Sequence, residues 1–208
     1  YDYIETGSLI SIKKNVKDIM IPSEEHPVQM YPMDFEEFLW AMGDELMMPY
    51  IRSQFEKKKP MGAFHRRAMD YFRQYMIVGG MPQAVKLYVE TRDFVKVDEV
   101  KRDILALYRN DIKKYADNQE TKVSAIFEEI PSQLQKHEKK FRLSSLQDDA
   151  RMRDYSQAFF WLSDARVVNC CYNSTEPSIG LKLSEDRTTV KWYMNDTGLL
   201  ISHAFDER

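Results

Sequence analysis

Arg151, Arg153 and Gln157 have the side chains best suited in this sequence to contacting nucleic acid. Two guanidiniums and an amide fall within RMRDYSQAFFWL on what a helical period makes the polar side, where they can reach phosphates or base edges. Arg142, Lys182, Arg187 and Lys191 add positive charge around them. Asp148, Asp149, Asp154 and Asp164 lie among these cations and repel phosphate, which weights the stretch toward a packing scaffold or protein-contact surface over direct nucleic-acid contact. A second candidate is Thr6-Gly7-Ser8, a turn between an expected strand and short helix, the arrangement that binds phosphate at the carboxyl edge of parallel sheets. Gly and Ser in such a turn are more often ordinary loop chemistry. Asp196, in Asn-Asp-Thr-Gly, reads as a turn residue capping through its carboxylate.

Other chemistries find little footing. His26, His65, His137 and His203 form no i, i+4 pair and have no cysteine partner, so no metal site is expected. Cys170 and Cys171 are adjacent in an expected strand, where neighbouring side chains face opposite ways, so neither a structural disulfide nor zinc is expected and a reducing cytoplasm fits. No Gly-x-Ser-x-Gly elbow is present, which disfavours an independent hydrolase.

The elements that must position these residues follow from periodicity. Phe141–Tyr172 reads as a short helix capped by Ser144 or Ser145, a turn at Asp148-Asp149, a longer helix burying Met152, Tyr155, Phe159 and Leu162, and a strand. Residues 181–194 can supply the return strand, which completes the order of a winged helix. Upstream, Asp34 and Glu37 form a capping box ahead of a helix carrying Phe35, Phe38, Leu39, Met42 and Leu46 and ending near Pro49. A helix over 61–78 bears Phe64, Ala68, Tyr71, Phe72 and Tyr75, stops at Gly79-Gly80, and hands over to one opened by Pro82. Residues 93–116 sustain the longest helical period, with Lys101, Arg102, Arg109, Lys113 and Lys114 assigned to a solvated face. A further helix spans 121–130 until Pro131 kinks or restarts it.

The expected fold class is therefore mainly α with minor β, the β component being confined to residues 1–12 and 166–194. An apolar share of 43% over 208 residues suffices for one large or two small cores, with boundaries expected near Met30 and Asn118. The formal net charge of -3 means that attraction to nucleic acid must come from a local patch, and no apolar run is long enough to span a membrane.

Seven stretches in order, TGSLI, YPMDFEEFL, GGMPQAV, YRNDI, IPSQL, the KFR at 140–142 and KWYMNDTGLL, resemble prokaryotic AAA-type ATPases of the archaeal-ATPase-like group that carry a C-terminal DUF4143 domain. The resemblance implies that 1–30 is the end of an α/β ATPase core, 31–118 a helical lid-like domain, 119–194 a winged helix, and 195–208 the opening of a nuclease-like domain. It also implies that Thr6 and Ser8 stand at the sensor 1 position, that ATP and Mg²⁺ belong to an intact parent whose P-loop precedes Tyr1, and that this portion alone does not hydrolyse ATP. Where the family often places Gly-Arg, this chain reads IPSEEHPVQM, so no arginine finger is assigned. The expected partners are DNA or a protein, with no membrane. The other reading is a free-standing winged-helix module that binds nucleic acid or regulates, without a nucleotide role.

Overall fold

Asp34 opens the first helix by accepting the Glu37 N–H, while the Glu37 carboxylate accepts the Asp34 N–H, each at 2.9 Å, so the expected capping box is formed. The computed structural model describes Ile4, His26 and residues 28–205 apart from 117, 137–139 and 177–178. The expected strand, turn and helix over 1–12, and with them Thr6 and Ser8, lie outside the described residues. Eight α-helices and one two-stranded antiparallel sheet make the described part mainly α with minor β: α1 Phe35–Ala41, α2 Met47–Glu56, α3 Phe64–Val78, α4 Pro82–Thr91, α5 Phe94–Tyr115, α6 Glu120–Gln135, α7 Met152–Asp164, β1 Val168–Ser174, β2 Glu185–Met194 and α8 Thr197–Ala204.

The chain divides into two compact units, and the division differs from the expected boundaries. One unit runs from Met30 to Ala106 and takes in the segment from Asp196; the other holds Leu107–Asn195. The boundary therefore falls inside α5 and not near Asn118, because the unbroken apolar period of 94–115 keeps α5 a single helix. The segment from Asp196 is grouped with the first unit.

In the first unit, Phe38, Val78, Ala84, Val85, Tyr88 and Val97 form one buried cluster, and Leu39, Met47 and Ala68 form another. Three local expectations are corrected. Pro49 ends nothing, because it sits in the first turn of α2, where a missing N–H costs no helical hydrogen bond. Leu46 is exposed, since α1 has already stopped at Ala41 and the register expected of it is lost. Phe64 and Phe72 remain partly exposed while Ala68 is buried, so α3 packs along a narrower stripe than its aromatic content suggests.

In the second unit, α6 continues through Pro131 to Gln135, forgoing one backbone bond but keeping Val123, Ile126, Phe127 and Ile130 buried. The short helix expected before α7 is only a 3-10 turn, Leu143–Ser145. No side chain caps it: Ser145 donates to the Arg142 carbonyl and accepts from the buried Gln133 amide, so neither serine fills the expected role. β1 and β2 pair in register from Val168 opposite Met194 to Tyr172 opposite Val190, then β2 carries three extra residues before Asn173 faces Asp186. The Phe141 N–H donates to the Val190 carbonyl at 2.8 Å, adding a short third segment beside β2. The order along this stretch is thus helix, 3-10 turn, helix and a two-stranded hairpin.

Tyr155, Phe159 and Leu162 turn inward from α7 as the periodicity predicts, whereas Met152, at the first position of the helix, is only partly buried and Ala158 joins the inward face. Phe159 stacks on Trp192 with ring centroids 4.6 Å apart and meets Phe141 edge-on at 5.4 Å. Replacing Phe159 with Ala should therefore destabilise this unit by about 3–5 kcal/mol, the usual cost of emptying an aromatic core site. Urea denaturation followed by circular dichroism checks this; a loss under about 1 kcal/mol would show that the ring is not part of a packed core.

Candidate functional site

A buried, hydrogen-bonded group of chemically capable side chains lies in the first unit, where the α3–α4 turn, α5 and α8 meet. Gly79 ends α3 with φ +81°, a left-handed conformation that glycine adopts without strain. The chain then presents the Gly80 N–H to Asp196 Oδ2 at 2.6 Å and the Gly80 carbonyl to the Met33 N–H at 2.7 Å. Asp196 is the N-cap of α8, and its Oδ1 accepts the Leu199 N–H at 2.8 Å. Its expected role as a capping turn residue is met, but its second oxygen reaches across the fold to a turn 116 positions earlier.

Space around this carboxylate is exhausted. A Cβ on Gly79 would lie 2.3 Å from Asp196 Oδ1, one on Gly80 2.0 Å from the Met33 carbonyl oxygen, and one on Gly198 2.4 Å from the Val78 carbonyl oxygen. These three glycines allow backbone and carboxylate to approach as closely as they do.

Lys101 corrects a sequence expectation. Assigned to the solvated face of α5, it is only 2% exposed and donates to the Ile77 carbonyl at 2.8 Å, with Asp98 Oδ1 at 3.8 Å. The signal was present in the spacing, because Val97, Lys101 and Leu105 are four residues apart and Val97 and Leu105 are both fully buried. The ammonium reaches the last carbonyls of α3, where a cation is favourable. Asp98 accepts from the buried Ser202 hydroxyl and, through Oδ2, from Arg102 Nε at 2.7 Å.

Burial pushes the Asp196 carboxyl above its ordinary value, against the opposing pull of the Gly80 and Leu199 N–H groups and of Lys101. Burial likewise lowers the Lys101 ammonium, against Asp98 and Asp196. For Asp98, burial acts to raise the pKa, but the hydrogen bonds from Ser202 and Arg102 and the charges of Arg102 and Lys101 outweigh it, so the net displacement is downward. Carboxylate, ammonium and hydroxyl types are thus gathered here, yet both Asp196 oxygens are committed to backbone N–H groups. The arrangement holds three chain segments together and leaves these groups little freedom for proton transfer. Nearby, an open apolar groove of about 320 Å³ is lined by Met33, Ala41, Pro82, Val85 and Val89, with Lys86 and Glu90 also on its wall.

The other predicted site lies elsewhere. Arg151 is the N-cap residue of α7, and Arg153 and Gln157 are exposed one turn apart on that helix. The Arg153 side chain is 74% exposed, with Asp154 3.5 Å away as a weak, solvent-screened partner. Arg187 pairs with Glu185 at 3.0 Å, which reduces what the hairpin can offer an anion. Cys170 and Cys171 are both free thiols, and burial raises the Cys170 pKa. Among the described residues no group of three His, Cys, Asp or Glu is placed to hold a metal ion, and no helix is long and apolar enough to cross a membrane.

Residues 69–206 match the sequence model of a family described as Domain of unknown function (DUF8612), a span that includes Gly79, Gly80, Lys101, Asp196 and everything from α6 to β2, so the chain belongs to that family. No curated protein and no solved structure matches the chain.

Asp196→Ala should cost about 2–3 kcal/mol, because it strands two buried N–H groups and removes a cap. Chemical denaturation of the two proteins at neutral pH tests this, and equal midpoints would refute it. The Asp98 contribution has a definite pH sign: with a folded pKa below the ordinary 3.8, it is present above that value and lost as the pH falls through the depressed one. The stability gap between wild type and Asp98→Asn should accordingly narrow below about pH 4, and a gap that stays constant down to pH 2 would show that the carboxylate charge plays no part.

Proposed function

We propose that this chain, which belongs to the DUF8612 family, is the part of an AAA-type ATPase that couples nucleotide state to a helical unit and a winged-helix unit, the latter meeting DNA or a protein through α7. The observation that carries this reading is where the family-like stretches go. YPMDFEEFL, GGMPQAV and KWYMNDTGLL are far apart in the chain, yet Met33, Gly80 and Asp196 are joined by two hydrogen bonds to the N–H and the carbonyl of the one residue Gly80. Motifs that resemble a family only locally need not converge; motifs that encode that family's architecture must.

In this reading the helical unit is a rigid lever, because its turn is held by a buried carboxylate and packed glycines. ATP and Mg²⁺ would be bound by a P-loop that these 208 residues do not contain, and the sensor role assigned to Thr6 and Ser8 falls outside the described residues. A cytoplasmic location accords with nucleotide use. A second reading, a free-standing winged-helix module that binds nucleic acid or regulates, is favoured by the exposed Arg151, Arg153 and Gln157, which need no nucleotide to act.

Reading the coding DNA upstream of Tyr1 separates the two. An in-frame Gly-x-x-x-x-Gly-Lys-Ser/Thr supports the ATPase, and a start codon immediately before Tyr1 overturns it. For α7, fluorescence anisotropy with duplex DNA at low salt should show weak, sequence-tolerant binding, since a chain of net charge -3 offers few phosphate contacts. Arg151→Ala with Arg153→Ala should lower the salt slope by roughly 1–2, at about 0.9 per lost contact. Binding unchanged by the pair would assign α7 to protein contact.

A further inference from the structure

A second charged surface, unrelated to α7, lies where α2 gives way to α3. Between Arg52 and Arg67 the chain carries six cationic side chains, Arg52, Lys57, Lys58, Lys59, Arg66 and Arg67, against one acid, Glu56, although the whole molecule is net negative. Arg52 and Arg67 are engaged by Glu36 and Asp44. Lys57, Lys58, Lys59 and Arg66 are exposed and form no ion pair among the described residues. The connection between the helices is folded back on α2: the Tyr50 hydroxyl donates to the Met61 carbonyl at 2.9 Å, and the Tyr50 and Phe64 rings lie 5.0 Å apart. All four cations thus belong to one end of a helix pair. Beside them Phe55 is 83% exposed.

Helix stability accounts for only part of this charge. Lysines just past the carboxyl end of α2 complement its dipole. Arg66, in the first turn of α3, stands at the positive end, where a cation is unfavourable, and has no acid to offset it. An exposed phenylalanine among lysines is likewise a cost in water. Cations beside a free aromatic ring are the equipment for binding single-stranded nucleic acid, in which phosphates meet the cations and an unpaired base stacks on the ring. Anionic membrane fits less well. A surface-lying helix needs a continuous apolar face to insert, whereas α2 and α3 commit Met47, Ile51, Ala68 and Tyr71 to the core and leave isolated rings outside.

We propose that the α2–α3 end, through Lys57, Lys58, Lys59, Arg66 and Phe55, binds single-stranded nucleic acid by phosphate contact and base stacking. The site depends neither on the ATPase reading nor on α7. Its test uses the full 208-residue chain and a fluorescein-labelled 20-nucleotide oligothymidylate, with anisotropy measured from low to moderate salt. Lys57→Gln, Lys58→Gln, Lys59→Gln and Arg66→Gln together should weaken binding at least tenfold and reduce the salt slope by up to about 3, at roughly 0.7 per contact on a single strand. Phe55→Ala alone should weaken binding roughly tenfold and leave the salt slope in place, which separates stacking from charge. Every substituted side chain is exposed, so circular dichroism should be unchanged in both variants. Arg151→Ala with Arg153→Ala serves as the comparison and should retain oligothymidylate binding. No binding of the oligonucleotide by wild type, equal binding by the fourfold variant, or capture on phosphatidylserine vesicles without oligonucleotide binding would each overturn the proposal.

Discussion

The hold of Asp196 on the Gly80 N–H is the interaction on which the first unit depends. A carboxylate 4% exposed is costly to bury, and it persists only because its oxygens accept two backbone N–H groups and a buried ammonium lies in its field. Much follows from that requirement. The α3–α4 turn must be Gly-Gly, because any side chain there would occupy the carboxylate's or Met33's position. The start of α8 must carry Gly198, so that its backbone can lie against Val78. Met33 is then placed by the carbonyl of the same residue, Gly80, and the Tyr75 hydroxyl, donating to the Met33 carbonyl at 2.9 Å, fixes the entry to α1.

The second unit is held differently. Its core rests on aromatic contact among Phe141, Phe159 and Trp192, with α6 and α7 supplying aliphatic walls. Buried polar groups are few there, and the Gln133 amide does most of the polar bonding: it donates to Glu129 and Ser145 and accepts the Arg142 N–H. That one side chain ties the carboxyl end of α6 to the 3-10 turn, so a turn too short to be a stable helix alone keeps its place.

What could be read from the residues alone was whatever depends on neighbours within a turn or two. The capping box at Asp34, the stop at Gly79, the start at Pro82, the length of α5 and the inward face of α7 all arise from local backbone chemistry and period, and all are present. What depends on distant partners was misjudged. Lys101 looked like surface because lysine usually is; only the Ile77 carbonyl, Asp98 and the field of Asp196 make its burial tolerable, and none of these is implied by a helical wheel. Pro49 reads as a terminator and Pro131 as a kink or restart, but one falls in a first turn and the other is carried inside α6 by the packing of its neighbours. Asp196 was legible as a cap and illegible as a tether, because its second partner lies on the far side of the sequence.

The placement of the three tryptophans has an optical consequence. Trp192 is buried against Phe159 and Trp161 is partly buried, its indole N–H donating to the Tyr115 carbonyl at 3.3 Å; both lie in the unit of 107–195. Trp40, in the other unit, is about half exposed. On denaturation the emission of Trp192 and Trp161 must shift to the red as they meet water, while Trp40, already wetted, contributes little change. Intrinsic fluorescence therefore reports almost solely on one half of the molecule. A single sigmoid seen at that wavelength describes the unit of 107–195, and cooperativity of the whole chain can be claimed only where far-ultraviolet dichroism follows the same curve.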